Sequence, residues 1–168
     1  MMLVVADATP VNILIRIEHV GILPQLFDRV VIPPAVAREL TDANTPDVVR
    51  AWMRIVPAWL EVRAPRMIDV RLNIGAGERE AIALAQELRA EVLLVDDRKA
   101  RRAALAVGLQ IAGTVGVLER AARRGFVDLR EALARLRNTD FAVAAWILDE
   151  ALAREEQRRG RAGPDPLR

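Results

Sequence analysis

Five short apolar segments, separated by stretches with helical periodicity, constrain the fold more than any other feature of the sequence. The clearest is residues 92–95, Val-Leu-Leu-Val, which runs directly into two aspartates. Short, continuous apolar segments are typical of strands that are buried on both faces, as in a parallel sheet. The intervening helical stretches are long enough to carry the chain from one parallel strand to the next. The other apolar segments are residues 3–6, 30–32, 59–62 and 110–112.

Amphipathic patterns predict helices between these strands and after the last one, including residues 78–89 and 98–107 and two C-terminal helices at 129–137 and 141–157. The sequence therefore predicts an α/β fold, a three-layer α/β/α sandwich with a central, mainly parallel sheet and extra C-terminal helices. We expect one domain over residues 1–158 and a disordered tail over residues 159–168.

Composition excludes several kinds of chemistry. The chain has 168 residues, no Cys and a single His, so disulfides, thiolate metal sites and Cys nucleophiles are ruled out, and a Ser-His-Asp triad is not expected. The net charge is only +2, which does not by itself indicate a nucleic-acid partner. No apolar segment is long enough to cross a bilayer, and the N-terminal segment reaches Asp7 at once, unlike a signal peptide. These features predict a cytoplasmic protein that does not contact a membrane.

Acidic residues are predicted to gather at one edge of the sheet. Asp7 follows the first strand, and Asp96 and Asp97 follow the fourth. Ligands bind at the carboxyl ends of the strands in an open parallel sheet, and nearby helices bring Glu39 and Glu78 towards the same edge. Each acid alone has a structural interpretation, because an Asp after a strand is often a helix cap and an acid in a first turn favours the helix dipole.

Taken together, the acids favour a cation site. Two carboxylates about 4 Å apart repel each other by roughly 4 kcal/mol at an effective dielectric constant near 20, and a cation relieves that repulsion. Ligands that are all oxygen suit Mg²⁺ or Mn²⁺. Such a site is the usual equipment for hydrolysis of a phosphodiester by a metal-activated water.

Four motifs built around these acids follow one another along the chain. The first is a strand that ends in Asp with a hydroxyl residue two places later, and the second is a Val-Pro-type strand exit with an acid in the next helix. The third is an acid at the head of a helix with an Ala-Leu-Ala core, and the fourth is an apolar strand followed by Asp and basic residues. They correspond to residues 4–9, 31–40, 78–85 and 93–99. Over residues 3–150 the set resembles the PIN-domain nucleases and, within them, the VapC-like toxin ribonucleases.

The resemblance implies a site and an activity. By that similarity the catalytic acids are Asp7, Glu39, Glu78 and Asp97, with Asp96 as an additional or substitute metal ligand. Thr9 matches the hydroxyl that orients the first Asp, and residues 113–114 look like the Gly-Thr turn of one subgroup. Arg98 and Lys99 follow the acid pair directly, and their position fits either contacts with substrate phosphates or a solvated helix face.

By the same similarity the chain would be a Mg²⁺- or Mn²⁺-dependent endoribonuclease, the toxin of a type II toxin–antitoxin pair. A small antitoxin protein and a second copy of the chain would be its partners, and RNA its substrate.

Three departures from the family pattern keep a different class of function open. Ala8 stands where many members have Thr, Glu78 where the third acid is usually Asp, and Val95 replaces a common Thr. The alternative is therefore a non-catalytic PIN-like module that binds RNA or a partner protein. A receiver domain fits less well because its acid pair follows the first strand, and a dinucleotide-binding fold would need a Gly-rich turn there.

Overall fold

The computed structural model describes residues 1–163, and within them five strands form one sheet in which every pair is parallel. Helices lie on both sides of this sheet, so the predicted α/β/α sandwich is confirmed. The order across the sheet is β3-β2-β1-β4-β5. The strands are β1 (Leu3–Ala6), β2 (Arg29–Ile32), β3 (Leu60–Val62), β4 (Val92–Leu94) and β5 (Ile111–Ala112).

Helices connect the strands and continue beyond β5. Those before β5 are α1 (Ala8–Arg16), α2 (Ile22–Leu26), α3 (Pro34–Leu40), α4 (Asp47–Met53), α5 (Ala76–Leu88) and α6 (Arg98–Ala106). Those after β5 are α7 (Thr114–Arg123), α8 (Leu129–Arg137) and α9 (Ala145–Ala162).

β1 is the central strand, and all four of its residues are buried. It pairs with β2 on one side, with Val5 opposite Val31, and with β4 on the other, with Val5 opposite Leu93. The backbone N–H of Asp7 extends the second pairing by donating to the carbonyl of Leu94 at 2.9 Å. The chain order reverses at β1, which makes the carboxyl end of β1 and β4 the crevice where an open parallel sheet binds its ligands.

An apolar core on one face of the sheet holds α5 and α6 in place. It contains inward-facing residues of β1 and β4 together with Ala81, Leu84 and Ala85 of α5 and Ala100 and Ala104 of α6. The small Ala side chains let these two helices approach the sheet closely. The helix α3 packs in turn against α5, and this contact brings the acid-bearing ends of both helices to the sheet edge.

The chain divides into two compact units, one of residues 1–114 and a second that begins at Val115. The region predicted as a single domain, residues 1–158, therefore extends over both units. The five strands all belong to the first unit. In the second unit α8 and α9 pack together through buried apolar residues such as Leu133, Leu136 and Leu148.

The last helix differs from its predicted bounds. It begins at Ala145, not at residue 141, and continues to Ala162, so residues 159–162 of the predicted disordered tail are helical. Ion pairs from Arg158 and Arg159 to Glu155, at 2.8 and 2.9 Å, join neighbouring turns and support this extension. The rest of the predicted tail, beyond residue 163, lies outside the described residues. No helix within the described range is long and apolar enough to cross a membrane.

Candidate active site

Asp7 lies at the carboxyl end of the central strand and is 4% exposed. Its Oδ1 atom is buried and accepts no hydrogen bond from any of the residues described. Burial raises the pKa of Asp7 from 3.8 to about 7, against a lowering hydrogen bond from the backbone of Ala8, and the charges of Glu78, Glu39 and Asp96 raise it further. A buried carboxyl with an unpaired oxygen and three acidic neighbours is costly to ionise unless a cation or a proton compensates it.

Glu39 reaches this group from the last turn of α3. The residue as a whole is exposed, but desolvation of its carboxyl and the nearby charge of Glu78 raise its pKa, and a backbone hydrogen bond from Gly77 lowers it. A Cβ placed on Gly77 would lie 2.5 Å from Oε1 of Glu39 and 3.3 Å from Val36. Glycine at position 77 therefore makes room for the Glu39 carboxylate against the start of α5.

Glu78 stands in the first turn of α5, where its Oε2 accepts a hydrogen bond of 2.6 Å from the backbone N–H of Gly75. It therefore has the structural role expected of an acid at a helix N-terminus, and it also adds negative charge beside Asp7 and Glu39. The neighbouring Glu80 has a different use, because its Oε2 accepts the N–H of Ala35 at 2.8 Å and so joins α5 to the start of α3.

Asp96 is the acid that β4 contributes to this group. Both of its oxygens are bonded to Thr114, Oδ1 to the backbone N–H at 2.9 Å and Oδ2 to the hydroxyl at 2.7 Å. Desolvation raises the pKa of Asp96, while the two bonds from Thr114 and the charge of Arg101 lower it. Arg101 is fixed by a 3.0 Å hydrogen bond from Nη1 to the carbonyl of Val95.

Asp97 is placed differently from its neighbour. It is exposed, and its Oδ2 accepts the backbone N–H of Ala100 at 3.0 Å, which makes it the N-cap of α6. The acids that raise the pKa of Asp7 through their charge are Glu78, Glu39 and Asp96. Of the two consecutive aspartates, Asp96 thus joins the carboxylate group and Asp97 caps a helix.

The other residues singled out from the sequence lie at the surface. Thr9 is exposed in the first turn of α1, and the hydrogen bond that lowers the pKa of Asp7 comes from the backbone of Ala8. Arg98 and Lys99 are exposed in the first turn of α6, directly after Asp97. Their charges are therefore accessible to an anion that approaches this helix.

The group consists of Asp7, Glu39, Glu78 and Asp96, which we call the acidic group. Within residues 1–163, no three acidic or His side chains stand close enough as placed to hold a metal ion. The chemistry of the donors nevertheless fits a hard divalent cation, because every donor is a carboxylate oxygen and one buried oxygen of Asp7 has no partner.

Sequence reasoning missed Gly77 as a support of the acidic group, and it noted residues 113–114 without their contact with Asp96. Gly77 gives clearance to Glu39, and Gly113 does the same for Asp96, since a Cβ on Gly113 would lie 2.7 Å from Oδ1 of Asp96. Thr114 holds both oxygens of Asp96. The Gly-Thr turn after the last strand was the one signal in the sequence that pointed to this support.

Comparisons with known proteins agree with this fold. A family model described as a PIN domain matches residues 3–157. A solved PilT N-terminus domain protein from the hyperthermophilic archaeon Sulfolobus solfataricus P2 is similar with a TM-score of 0.50 and 19% identity, over 71% of this chain and 93% of that one. At this identity the likeness shows the fold alone. Among curated proteins, none matches the chain.

Proposed function

Because the chain belongs to the PIN-domain family, whose members are generally nucleases, we propose that it is a hydrolase, a metal-dependent endoribonuclease that cleaves phosphodiester bonds of RNA. The observation that carries the proposal is the buried carboxyl of Asp7, which has an unpaired Oδ1 and three acidic neighbours at the carboxyl end of the central strand. Such a cluster of charge is unfavourable for folding and is therefore expected to serve a ligand.

The acidic group would hold the cation, Mg²⁺ or Mn²⁺. Asp7 supplies the buried anchor, Asp96 is fixed by Thr114, and Glu39 and Glu78 approach from α3 and α5. When bound, the ion would supply Lewis-acid activation of water and stabilisation of the leaving oxygen. Asp96 is proposed for this set in place of Asp97 because the charge of Asp96 acts on Asp7, whereas Asp97 is exposed at the start of α6.

The remaining tasks fall to residues around the acidic group. With no Cys in the chain and a single His, water is the expected nucleophile and a covalent intermediate with the protein is not required. Arg98 and Lys99 are exposed next to the site and can hold the phosphates of a strand, as basic side chains commonly do. The carboxylates cannot bind that polyanion directly, so basic residues at the rim are needed for affinity.

The finer assignment is a VapC-like toxin of a type II toxin–antitoxin pair, acting in the cytoplasm as a homodimer and inhibited by a small antitoxin. It is supported by the four motifs in their order along the chain and by the Gly-Thr turn at residues 113–114. Copurification of the chain with the product of an adjacent small gene, followed by loss of RNA cleavage in the complex, would test the antitoxin.

The test of the main proposal is calorimetric titration of Mn²⁺ into three proteins: the wild type, Asp7→Asn and the control Asp47→Asn. Asp47 is 92% exposed in its side chain and pairs with Arg50, so the control makes the same chemical change away from the acidic group. We expect binding in the wild type and the control, and none in Asp7→Asn. RNA cleavage should follow the same pattern across the three proteins.

A non-catalytic module that binds RNA or a protein partner remains the second candidate. It is favoured by one observation, that no three acidic side chains of residues 1–163 stand close enough to hold an ion as placed. A folded wild type that binds RNA but neither binds Mn²⁺ nor cleaves RNA would establish this candidate in place of the nuclease.

A further inference from the structure

Thr114 makes a two-point contact with Asp96. It is the first residue of α7, follows directly on the turn after β5, and is completely buried. Its backbone N–H donates to Oδ1 of Asp96 at 2.9 Å, and its hydroxyl donates to Oδ2 at 2.7 Å. One residue therefore fixes both the position and the rotation of a carboxylate that lies 18 residues earlier in the chain.

The surroundings of Asp96 add to this restraint. A Cβ on Gly113 would lie 2.7 Å from Oδ1 of Asp96 and 2.9 Å from Nη1 of Arg101, so both atoms lie close against the glycine backbone. Arg101 is itself held by the carbonyl of Val95. Asp96 thus has polar partners in Thr114 and Arg101, and its charge still acts on Asp7.

The two hydrogen bonds leave Asp96 able to bind a cation. Each carboxylate oxygen has two lone pairs, and the contacts with Thr114 use one on each oxygen. Metal-binding carboxylates are themselves usually hydrogen-bonded, and these outer partners set the orientation of the ligand. The Thr114 hydroxyl is a neutral donor, so it orients the carboxylate without cancelling its charge, while Arg101 is the cation whose charge acts on Asp96.

We propose that Thr114 is a positioning residue that aims the Asp96 carboxylate at the divalent cation of the acidic group. The proposal rests on the nuclease function proposed above. A purely structural interpretation is that Asp96 only ties the turn after β5 to the end of β4. The two interpretations differ in whether loss of the Thr114 hydroxyl changes the affinity for metal.

The experiment is calorimetric titration of Mn²⁺ into the wild type, Thr114→Ala and Thr114→Ser, with thermal unfolding in EDTA as a check on folding. We expect Thr114→Ala to weaken Mn²⁺ binding by about 10- to 100-fold, as removal of such outer partners commonly does. Thr114→Ser keeps the hydroxyl and should remain within about threefold of the wild type. Thr139→Ala is the matched control, because its hydroxyl is bonded to the carbonyl of Leu136 at 2.7 Å in the second unit.

The outcomes separate this proposal from the one on which it rests. Wild-type affinity in a folded Thr114→Ala protein overturns the positioning role while leaving the metal site intact. No Mn²⁺ binding by a folded wild type overturns the metal site and the positioning role together. If Thr114→Ala does not fold, Thr114→Val takes its place, since it keeps the volume of the side chain and removes the hydroxyl, and it is read in the same way.

Discussion

The substitution Asp7→Asn removes a negative charge that the fold buries at the carboxyl end of its central strand. Asp7 is 4% exposed, its Oδ1 accepts no hydrogen bond from the residues described, and its neighbours Glu78, Glu39 and Asp96 carry the same charge. The ionised form is therefore unfavourable in the folded protein. We expect Asp7→Asn to increase the free energy of unfolding at neutral pH in the absence of metal.

The size of the effect follows from the pKa. The pKa of Asp7 is about 7 in the folded state and 3.8 in the unfolded state, so ionisation of this carboxyl lowers the free energy of unfolding of the protein by about 4 kcal/mol. The folded state binds this proton more tightly, so the stability is fully present below pH 3.8, falls as the pH rises to about 7, and stays lost above it. Asp7→Asn recovers this loss, but its buried amide is incompletely hydrogen-bonded, which costs about 1–3 kcal/mol. The net gain in the free energy of unfolding over the wild type is therefore about 1–3 kcal/mol at pH 8.

The assay is urea unfolding in EDTA at pH 4 and pH 8 for the wild type, Asp7→Asn and the control Asp47→Asn. Other carboxyls titrate in every protein, so the relevant quantity is the difference between wild type and variant at each pH. Asp7→Asn should gain stability over the wild type at pH 8 and show no such gain at pH 4, while the exposed control stays within about 0.5 kcal/mol at both. A difference that is the same at both pH values would refute the idea that the fold buries the charge of Asp7.

Three further predictions concern the acidic group and its neighbours. Because carboxyl ligands must lose their protons to bind a metal, the Mn²⁺ dissociation constant of the wild type should fall as the pH rises and level off above about 7, where Asp7 is ionised. A dissociation constant that does not change in a calorimetric series from pH 5 to pH 8.5 would contradict this. Gly77→Ala places a Cβ 2.5 Å from Oε1 of Glu39, so it should displace that carboxylate and weaken Mn²⁺ binding, while stability in urea unfolding changes by less than about 1 kcal/mol because the displaced atom ends a flexible side chain and Ala favours the helix. Gly160→Ala, which meets no neighbouring atom, should leave Mn²⁺ binding unchanged. Asp97→Ala should lower the free energy of unfolding by about 1 kcal/mol through loss of the α6 cap and leave Mn²⁺ affinity within a fewfold of the wild type. Asp97→Asn keeps the cap and serves as its control. A complete loss of Mn²⁺ binding in Asp97→Asn would return Asp97 to the metal site.

The fold could be predicted because each strand is indicated by the pattern of its own residues. Three of the five, β1, β2 and β4, are built mainly from buried Val, Leu, Ile and Ala, the short β5 is apolar but half-buried, and the edge strand β3 is recognisable by its alternation. Parallel pairing then follows from the helices between them. The division into two units at Val115 could not be read in the same way, because no linker marks the boundary.

The acidic group could be predicted only in part. Asp7, Glu39 and Glu78 could be assigned to one edge because each sits at the end of a strand or helix. The resemblance named Asp97 as the catalytic acid and Asp96 as an additional or substitute ligand, whereas the acid whose charge acts on Asp7 is Asp96. Their order was hard to predict because β4 ends at Leu94, one residue earlier than the apolar run suggests. Contacts such as Thr114 with Asp96 depend on how β4 and β5 align, which local patterns do not encode.

The central position of β1 has a consequence for how the protein is made. β1 pairs with β2 after about two dozen residues, but its other neighbour, β4, begins at Val92. The pairing of β1 with β4 across so long a loop forms late and slowly, because the entropic cost of closing the loop comes before the stabilisation that the pairing provides. Asp7 and Asp96 therefore meet only when most of the first unit has left the ribosome. On the proposed function, a nascent chain would gain the metal site, and with it the ability to cleave RNA, only after that closure is complete.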